Sequence, residues 1–134
     1  MQRKLRVRRG EHDLVEDSGF DIEVSDRDRR RLVSMRGVLD ARYAEIADAV
    51  VTALVRSRRR FALDLTNVSL IDSAGLTVLV RAAGRLREGG RTLTITGASA
   101  TVRHVLYVSG LDQLVGLQQR PGQRSTAPWL LAER

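Results

Sequence analysis

The chain contains no cysteine, which removes disulfides, thiolate metal sites, iron–sulfur clusters and a cysteine nucleophile from its repertoire. Histidine is almost as scarce: His12 and His104 are the two imidazoles, so metal ligation and general-base catalysis are poorly supplied. No metal site or cofactor is expected. No apolar run approaches the roughly 20 residues that span a bilayer. The basic start, 1–10, runs into Glu11, His12 and Asp13 and not into a hydrophobic segment, unlike a secretory leader. These absences predict a cytoplasmic protein without a membrane span.

A length of 134 residues with 43% apolar residues matches one globular domain with a single core. The formal net charge of +7 raises the question of nucleic acid, and the position of the charge bears on the answer. Residues 1–10 carry five cations and no acid, and 118–134 carry three cations against Glu133, whereas 11–117 hold fifteen of each sign. The excess therefore sits in the terminal segments, and no direct nucleic-acid partner is expected of a neutral core. The sequence divides into a basic, flexible N-terminal arm (1–19), a domain (20–117) and a tail (118–134) in which Trp129, Leu130 and Leu131 either pack back or stay disordered.

Residues 20–25 (FDIEVS) and 31–38 (RLVSMRGV) alternate apolar and polar around the turn-like 26–28, the pattern of a hairpin. A helix opens at Asp40, its N-cap, with Tyr43, Ile46, Ala47, Val50 and Leu54 on one face, and ends in the basic run 56–60. A short central strand follows at 61–65 (FALDL), then a turn-rich stretch, 66–72. The next helix starts near Ser73, with Leu76, Leu79, Val80, Ala83 and Leu86 on a shared face and Gly89-Gly90 at its end. Residues 91–96 alternate as a strand, Val102, Val105 and Leu106 mark a helix closed by Gly110, and 114–117 form a last short strand. Strands joined through helices need parallel crossovers, so the fold class is α/β, a mixed central sheet of about four to five strands with about four helices.

The segment 63–76, LDLTNVSLIDSAGL, carries the chemistry. A buried strand leads to Asp72-Ser73-Ala74-Gly75 at a helix start, where backbone N–H groups favour an anion. Together with Gly37-Val38-Leu39-Asp40, Gly89-Gly90, and Ser109-Gly110-Leu111-Asp112, this ordered set resembles the STAS domains of anti-sigma-factor antagonists across about residues 20–117. The resemblance implies a regulatory binding module and not an enzyme. Its phosphorylation site would be Ser73, and its partner-binding face would comprise Asp40, Asp72, Ser73, Ala74, Gly75, Leu76 and Thr77. The partners implied are an anti-sigma factor serine kinase, bound while Ser73 is unmodified so that the sigma factor is released, and a serine phosphatase that restores the site. Ala74 stands where many relatives carry a second hydroxyl; Thr66, Ser69 and Thr77 are weaker acceptors.

Other readings compete with this one. Ser73 read without the resemblance is simply a helix cap, and Asp72 either a carboxylate favoured by the helix dipole or the group that orients the acceptor hydroxyl. A nucleophilic Ser73 with His104 as base lacks the nucleophile elbow, because Ile71 occupies the position of its first glycine. Neither phosphate-loop nor dinucleotide-binding glycine pattern is present. Within the resembled family, the alternative is a STAS scaffold or partner subunit of a stress-signalling or lipid-transport complex.

Overall fold

The computed structural model describes residues 4–9, 19–27 and 29–118. Six strands form one sheet in chain order: β1 (Lys4–Arg9), β2 (Phe20–Arg27), β3 (Arg30–Leu39), β4 (Phe61–Ile71), β5 (Leu93–Ala98) and β6 (Val115–Leu117). The first three strands are antiparallel neighbours, and β3 through β6 run parallel. The connections are α1 (Ala44–Ser57), α2 (Ser73–Glu88) and α3 (Ala100–Ser109), the last followed by a 3-10 turn (Leu111–Gln113). The α/β class and the mixed sheet expected from the sequence are present; among the described residues the sheet has six strands where about four to five were expected, and three α-helices with one 3-10 turn stand where about four helices were expected.

The additional strand comes from the basic arm. Lys4–Arg9, expected to be part of a flexible segment, instead pairs antiparallel with β2, Leu5 opposite Val24 and Val7 opposite Ile22. The alternation of charged and apolar residues at 4–8 is a strand pattern, and the free edge of β2 supplies the ladder it needs. His12 and the Trp129-containing tail lie outside the described residues.

The core follows the predicted periodicities, with local exceptions. In β2, Phe20 and Ile22 are buried, and β5 buries Leu93, Ile95 and Gly97 while Thr94, Thr96 and Ala98 remain half-buried. The central strand β4 buries Phe61, Ala62 and Leu63 in succession and then Leu65, as a strand covered on both faces does. On α1, Tyr43 just before the helix, Ala47 and Leu54 are buried as expected, together with Val51; on α2, Val80 is exposed and Val78 takes the inward position.

Two boundaries differ from expectation, and both shape the site. The turn-rich stretch 66–72 continues β4 as far as Ile71, because it pairs with β3 through two register shifts, Asn67 opposite Arg36 and Leu70 opposite Val38. Pairing with a neighbouring strand overrides the weak strand propensity of Thr66, Asn67 and Ser69. Helix α1 begins at Ala44, not at Asp40, and its N-cap position is Tyr43, which makes no side-chain cap. The C-terminal ends of β3 and β4 are thereby brought level, Leu39 opposite Ile71.

The division between core and surface is measurable. Leu63→Ala should cost about 2–5 kcal/mol in urea unfolding, as for fully buried leucines. Val108→Ala, at a position 68% exposed, should stay within about 0.5 kcal/mol. Equal losses for the two variants would contradict the packing described.

Candidate functional site

The site is built where β3 and β4 end. Asp72 follows β4 directly with an extended backbone (φ −106°, ψ −171°) and is the N-cap of α2. One carboxylate oxygen accepts from the N–H of Gly75 at 3.0 Å. The other accepts from the N–H of Ala41 at 3.3 Å, across 31 residues of sequence. The backbone of Asp72 is tied as well: its N–H donates to the Leu39 carbonyl at 3.3 Å, and its carbonyl accepts from Leu76 N–H at 2.9 Å. One residue therefore joins the start of α2 to both the end of β3 and the loop that precedes α1.

Gly75 permits this junction. A Cβ built at that position would fall on the Leu39 carbonyl oxygen and lie 2.8 Å from Ile71 Cγ1 and 2.9 Å from Leu39 Cγ. A backbone oxygen cannot move aside as a flexible side chain can, so only glycine lets the first turn of α2 sit against the end of β3. The glycine of the DSAG element is thus explained by close approach of two backbones.

The loop after β3 is ordered from the core outwards. Phe20 stacks on Tyr43 with ring centroids 5.7 Å apart, and the Arg42 guanidinium lies over the Tyr43 ring at 5.0 Å. Arg42 also pairs with the Asp40 carboxylate at 2.9 Å. Asp40, expected as a helix cap, instead closes a turn: its carboxylate accepts from Arg42 N–H at 3.0 Å, and its carbonyl accepts from Ala44 N–H at 2.8 Å.

On this platform Ser73 is the first residue of α2 and is exposed. Because Asp72 supplies the cap, the Ser73 hydroxyl is left without a hydrogen bond to any described residue. The reading of Ser73 as the helix cap is thereby corrected. Its neighbours are graded in exposure: Ala74 and Leu76 are half-buried, Gly75 is buried, and Thr77 is exposed. The Thr77 hydroxyl is engaged, donating to the Ser73 carbonyl at 2.8 Å. Thr66 is likewise committed, its hydroxyl donating to the Asp64 carboxylate at 2.6 Å, and Ser69 donates to the Gly37 carbonyl at 3.3 Å. Of the four candidate acceptors, only the Ser73 hydroxyl is uncommitted.

All seven candidate residues fall in the two segments that Asp72 joins, 40–41 and 72–77. Leu70, 49% exposed at the end of β4, was not anticipated as a neighbour of the site; its exposure depends on the register shifts between β3 and β4, which sequence does not display. Among the described residues there is no cluster of three or more potential metal ligands. No described residue hydrogen-bonds to the Ser73 hydroxyl, so the pairing of Ser73 with His104 that nucleophilic catalysis would require is not formed.

The junction makes quantitative demands on substitutions. Gly75→Ala should destabilise by about 1–3 kcal/mol through overpacking. Asp72→Ala should cost about 1–2 kcal/mol through the lost cap, whereas Asp72→Asn retains most of it. Gly84, also in α2 but with open space around its Cα, should gain up to about 1 kcal/mol on replacement by alanine. Denaturant unfolding of the four variants checks these signs, and a tolerated Gly75→Ala would contradict the close approach.

Comparison with known proteins agrees with this architecture. The family model described as MlaB, STAS domain matches residues 22–116. The anti-sigma-B factor antagonist of Listeria monocytogenes is 29% identical over 106 residues, covering 78% of this chain and 93% of that protein. Among solved structures, an anti-sigma factor antagonist from Mycobacterium paratuberculosis superposes with a TM-score of 0.69 at 23% identity, covering 88% of this chain and 96% of that one. The Bacillus cell fate determinant SpoIIAA in its phosphorylated form superposes with a TM-score of 0.56 at 18% identity, covering 75% and 93% of the two chains. With the family model matching residues 22–116 and the DSAG turn seated between β4 and α2, the chain belongs to the STAS-domain family.

Proposed function

We propose that the chain is an anti-sigma factor antagonist whose binding surface is switched by phosphorylation of Ser73. The observation that carries this reading is the exposed Ser73 hydroxyl, left uncommitted because Asp72 caps the helix. The relatives described as anti-sigma factor antagonists support it, as does a fold shared with a protein solved in a phosphorylated form.

In its unmodified form the chain binds an anti-sigma factor serine kinase through Asp40 and the 72–77 segment, and the sigma factor is released. The kinase then transfers the γ-phosphoryl group of ATP to Ser73 Oγ, with loss of the hydroxyl proton and release of ADP. A serine phosphatase reverses the step by hydrolysis. The nucleotide chemistry belongs to the kinase; this chain is the acceptor and not an enzyme. The exchange takes place in the cytoplasm, where ATP is available, and no helix among the described residues is long and apolar enough to cross a membrane.

The position of Ser73 suits a switch that spares the fold. The first N–H groups of a helix lack intrahelical acceptors, and a phosphate there is favoured by the helix dipole by up to about 1 kcal/mol at an exposed site. Asp72 next to it contributes repulsion of similar size. The partner, by contrast, meets about 1.5–2 additional negative charges on a surface it had matched as a neutral hydroxyl.

Ser73→Ala should therefore bind the kinase as the unmodified protein does and lose no more than about 0.5 kcal/mol of stability, since the cap is elsewhere. Ser73→Asp places a second carboxylate in the contact and should weaken binding tenfold or more, a change of about 1.4 kcal/mol per factor of ten. Titration calorimetry of both variants against the kinase recovered with the chain from its host decides the matter. Equal affinities would remove the electrostatic switch, and failure to recover any kinase would favour a scaffold or lipid-transport subunit instead.

A further inference from the structure

The charges of 11–117 cancel in sum, but the fold separates them in space. Four arginines surround Ser57 in the run 56–60, three occupy 29–31 at the β2–β3 turn, and Arg85, Arg87 and Arg91 stand around the end of α2. These segments meet at the end of the sheet where the parallel strands begin. Arg31 pairs in register with Phe61, and its N–H donates to the Arg60 carbonyl at 2.9 Å. The Arg91 guanidinium donates to the Arg59 carbonyl at 3.1 Å, and that of Arg85 to Thr52 Oγ1 at 2.8 Å, joining α2 to α1.

Opposing these arginines, the acids described at this end are Asp26, Glu88 and, in the turn before β6, Asp112. Asp26 is already shared between Arg31 at 3.2 Å and Arg59 at 3.6 Å. Arg30, Arg56, Arg58, Arg60 and Arg87 are exposed and have no side-chain partner among the described residues. A second observation marks the same place. The two described non-glycine residues with positive φ are Arg29 (67°) and Arg58 (61°), both in these segments. Such positions favour glycine or asparagine, yet each here carries a guanidinium.

The chemistry of the patch narrows its ligand. The chain has one lysine, Lys4, and every cation of this surface is an arginine, whose planar fork matches phosphate oxygens in bidentate fashion. None of the exposed large apolar residues, Leu70, Val80, Val108 and Leu114, lies in the three segments, so there is no wedge for an acyl layer and no apolar anchor for a protein interface. No exposed aromatic residue is present in them to stack on unpaired bases. We propose that this arginine surface binds the phosphate backbone of a duplex nucleic acid without reading its bases, at the opposite end of the sheet from Ser73. Strand β4 spans the distance between the two surfaces with 11 residues, about 35 Å at roughly 3.3 Å per residue. Kinase and duplex are thus able to occupy the molecule together.

Fluorescence anisotropy of the full chain with a labelled duplex of about 20 base pairs, between roughly 50 and 200 mM salt, tests the proposal. Binding should be independent of sequence, with log K falling against log salt at a slope of about −4 to −5 for five phosphate contacts. The triple variant Arg56→Gln, Arg60→Gln, Arg87→Gln should bind about tenfold or more weakly with its slope reduced by about 3, while its melting temperature stays unchanged. Ser73→Asp should bind the duplex as the parent does. Absence of binding at the lowest salt would overturn the proposal. So would parental affinity in the triple variant, which would assign the binding to the basic terminal segments, or stronger binding to phosphatidylglycerol vesicles at matched phosphate, which would make the surface a membrane contact.

Discussion

The Asp72 carboxylate, held between the N–H groups of Gly75 and Ala41, is the constraint on which the Ser73 end of the molecule depends. It satisfies an N–H that would otherwise be orphaned at the start of α2, and it joins two segments that are 31 residues apart in sequence. The close seat of Gly75 on the Leu39 carbonyl makes the arrangement rigid. With the capping role filled by its neighbour, the serine is spared that task and stands exposed on a fixed scaffold. The division between a residue that holds the junction and a residue whose hydroxyl is left uncommitted follows from one hydrogen-bond assignment.

Under the proposed switch, the same division accounts for how a small chemical change is transmitted. A phosphate on the first residue of a helix adds charge where the helix end tolerates it and where a partner does not. In the proposed switch the signal is read at the surface, and the core of Leu63, Leu65, Leu79 and Ile95 has no need to rearrange. Proteins that switch by order–disorder require a marginal segment; here Ser73, the proposed acceptor, is anchored on both sides, through Asp72 and through the Thr77 hydroxyl on the Ser73 carbonyl.

Much of this was legible in the residues themselves. Alternation in 20–23 and the helical stripe through Ala47 and Leu54 report burial directly, because side-chain direction repeats with the period of the backbone, whereas at the end of the alternating run Val24 is half-buried and Ser25 is buried. The DSAG element falls at the junction of β4 and α2, where Asp72 reaches the loop after β3. What escaped reading was non-local. The continuation of β4 to Ile71 depends on its pairing with β3, and the transfer of the cap from Ser73 to Asp72 on backbone geometry at one junction. Lys4–Arg9 looked like a solvated arm because its partner edge is formed by β2, farther along the chain. The neutral charge balance of 11–117 hid a segregation that only folding produces, since 29–31, 56–60 and 85–91 are distant in sequence and adjacent at one end of the sheet.

The claim that Ser73 is presented on a rigid scaffold is tested most directly by amide chemical shifts of the protein carrying phosphoserine incorporated at position 73, compared with the unmodified protein. The account predicts that significant changes are confined to residues near 39–42 and 70–77, with the dispersed core resonances of β4, β5 and α3 unmoved. Shifts spreading through the core, or loss of dispersion, would contradict it and show that the phosphate acts by remodelling the fold.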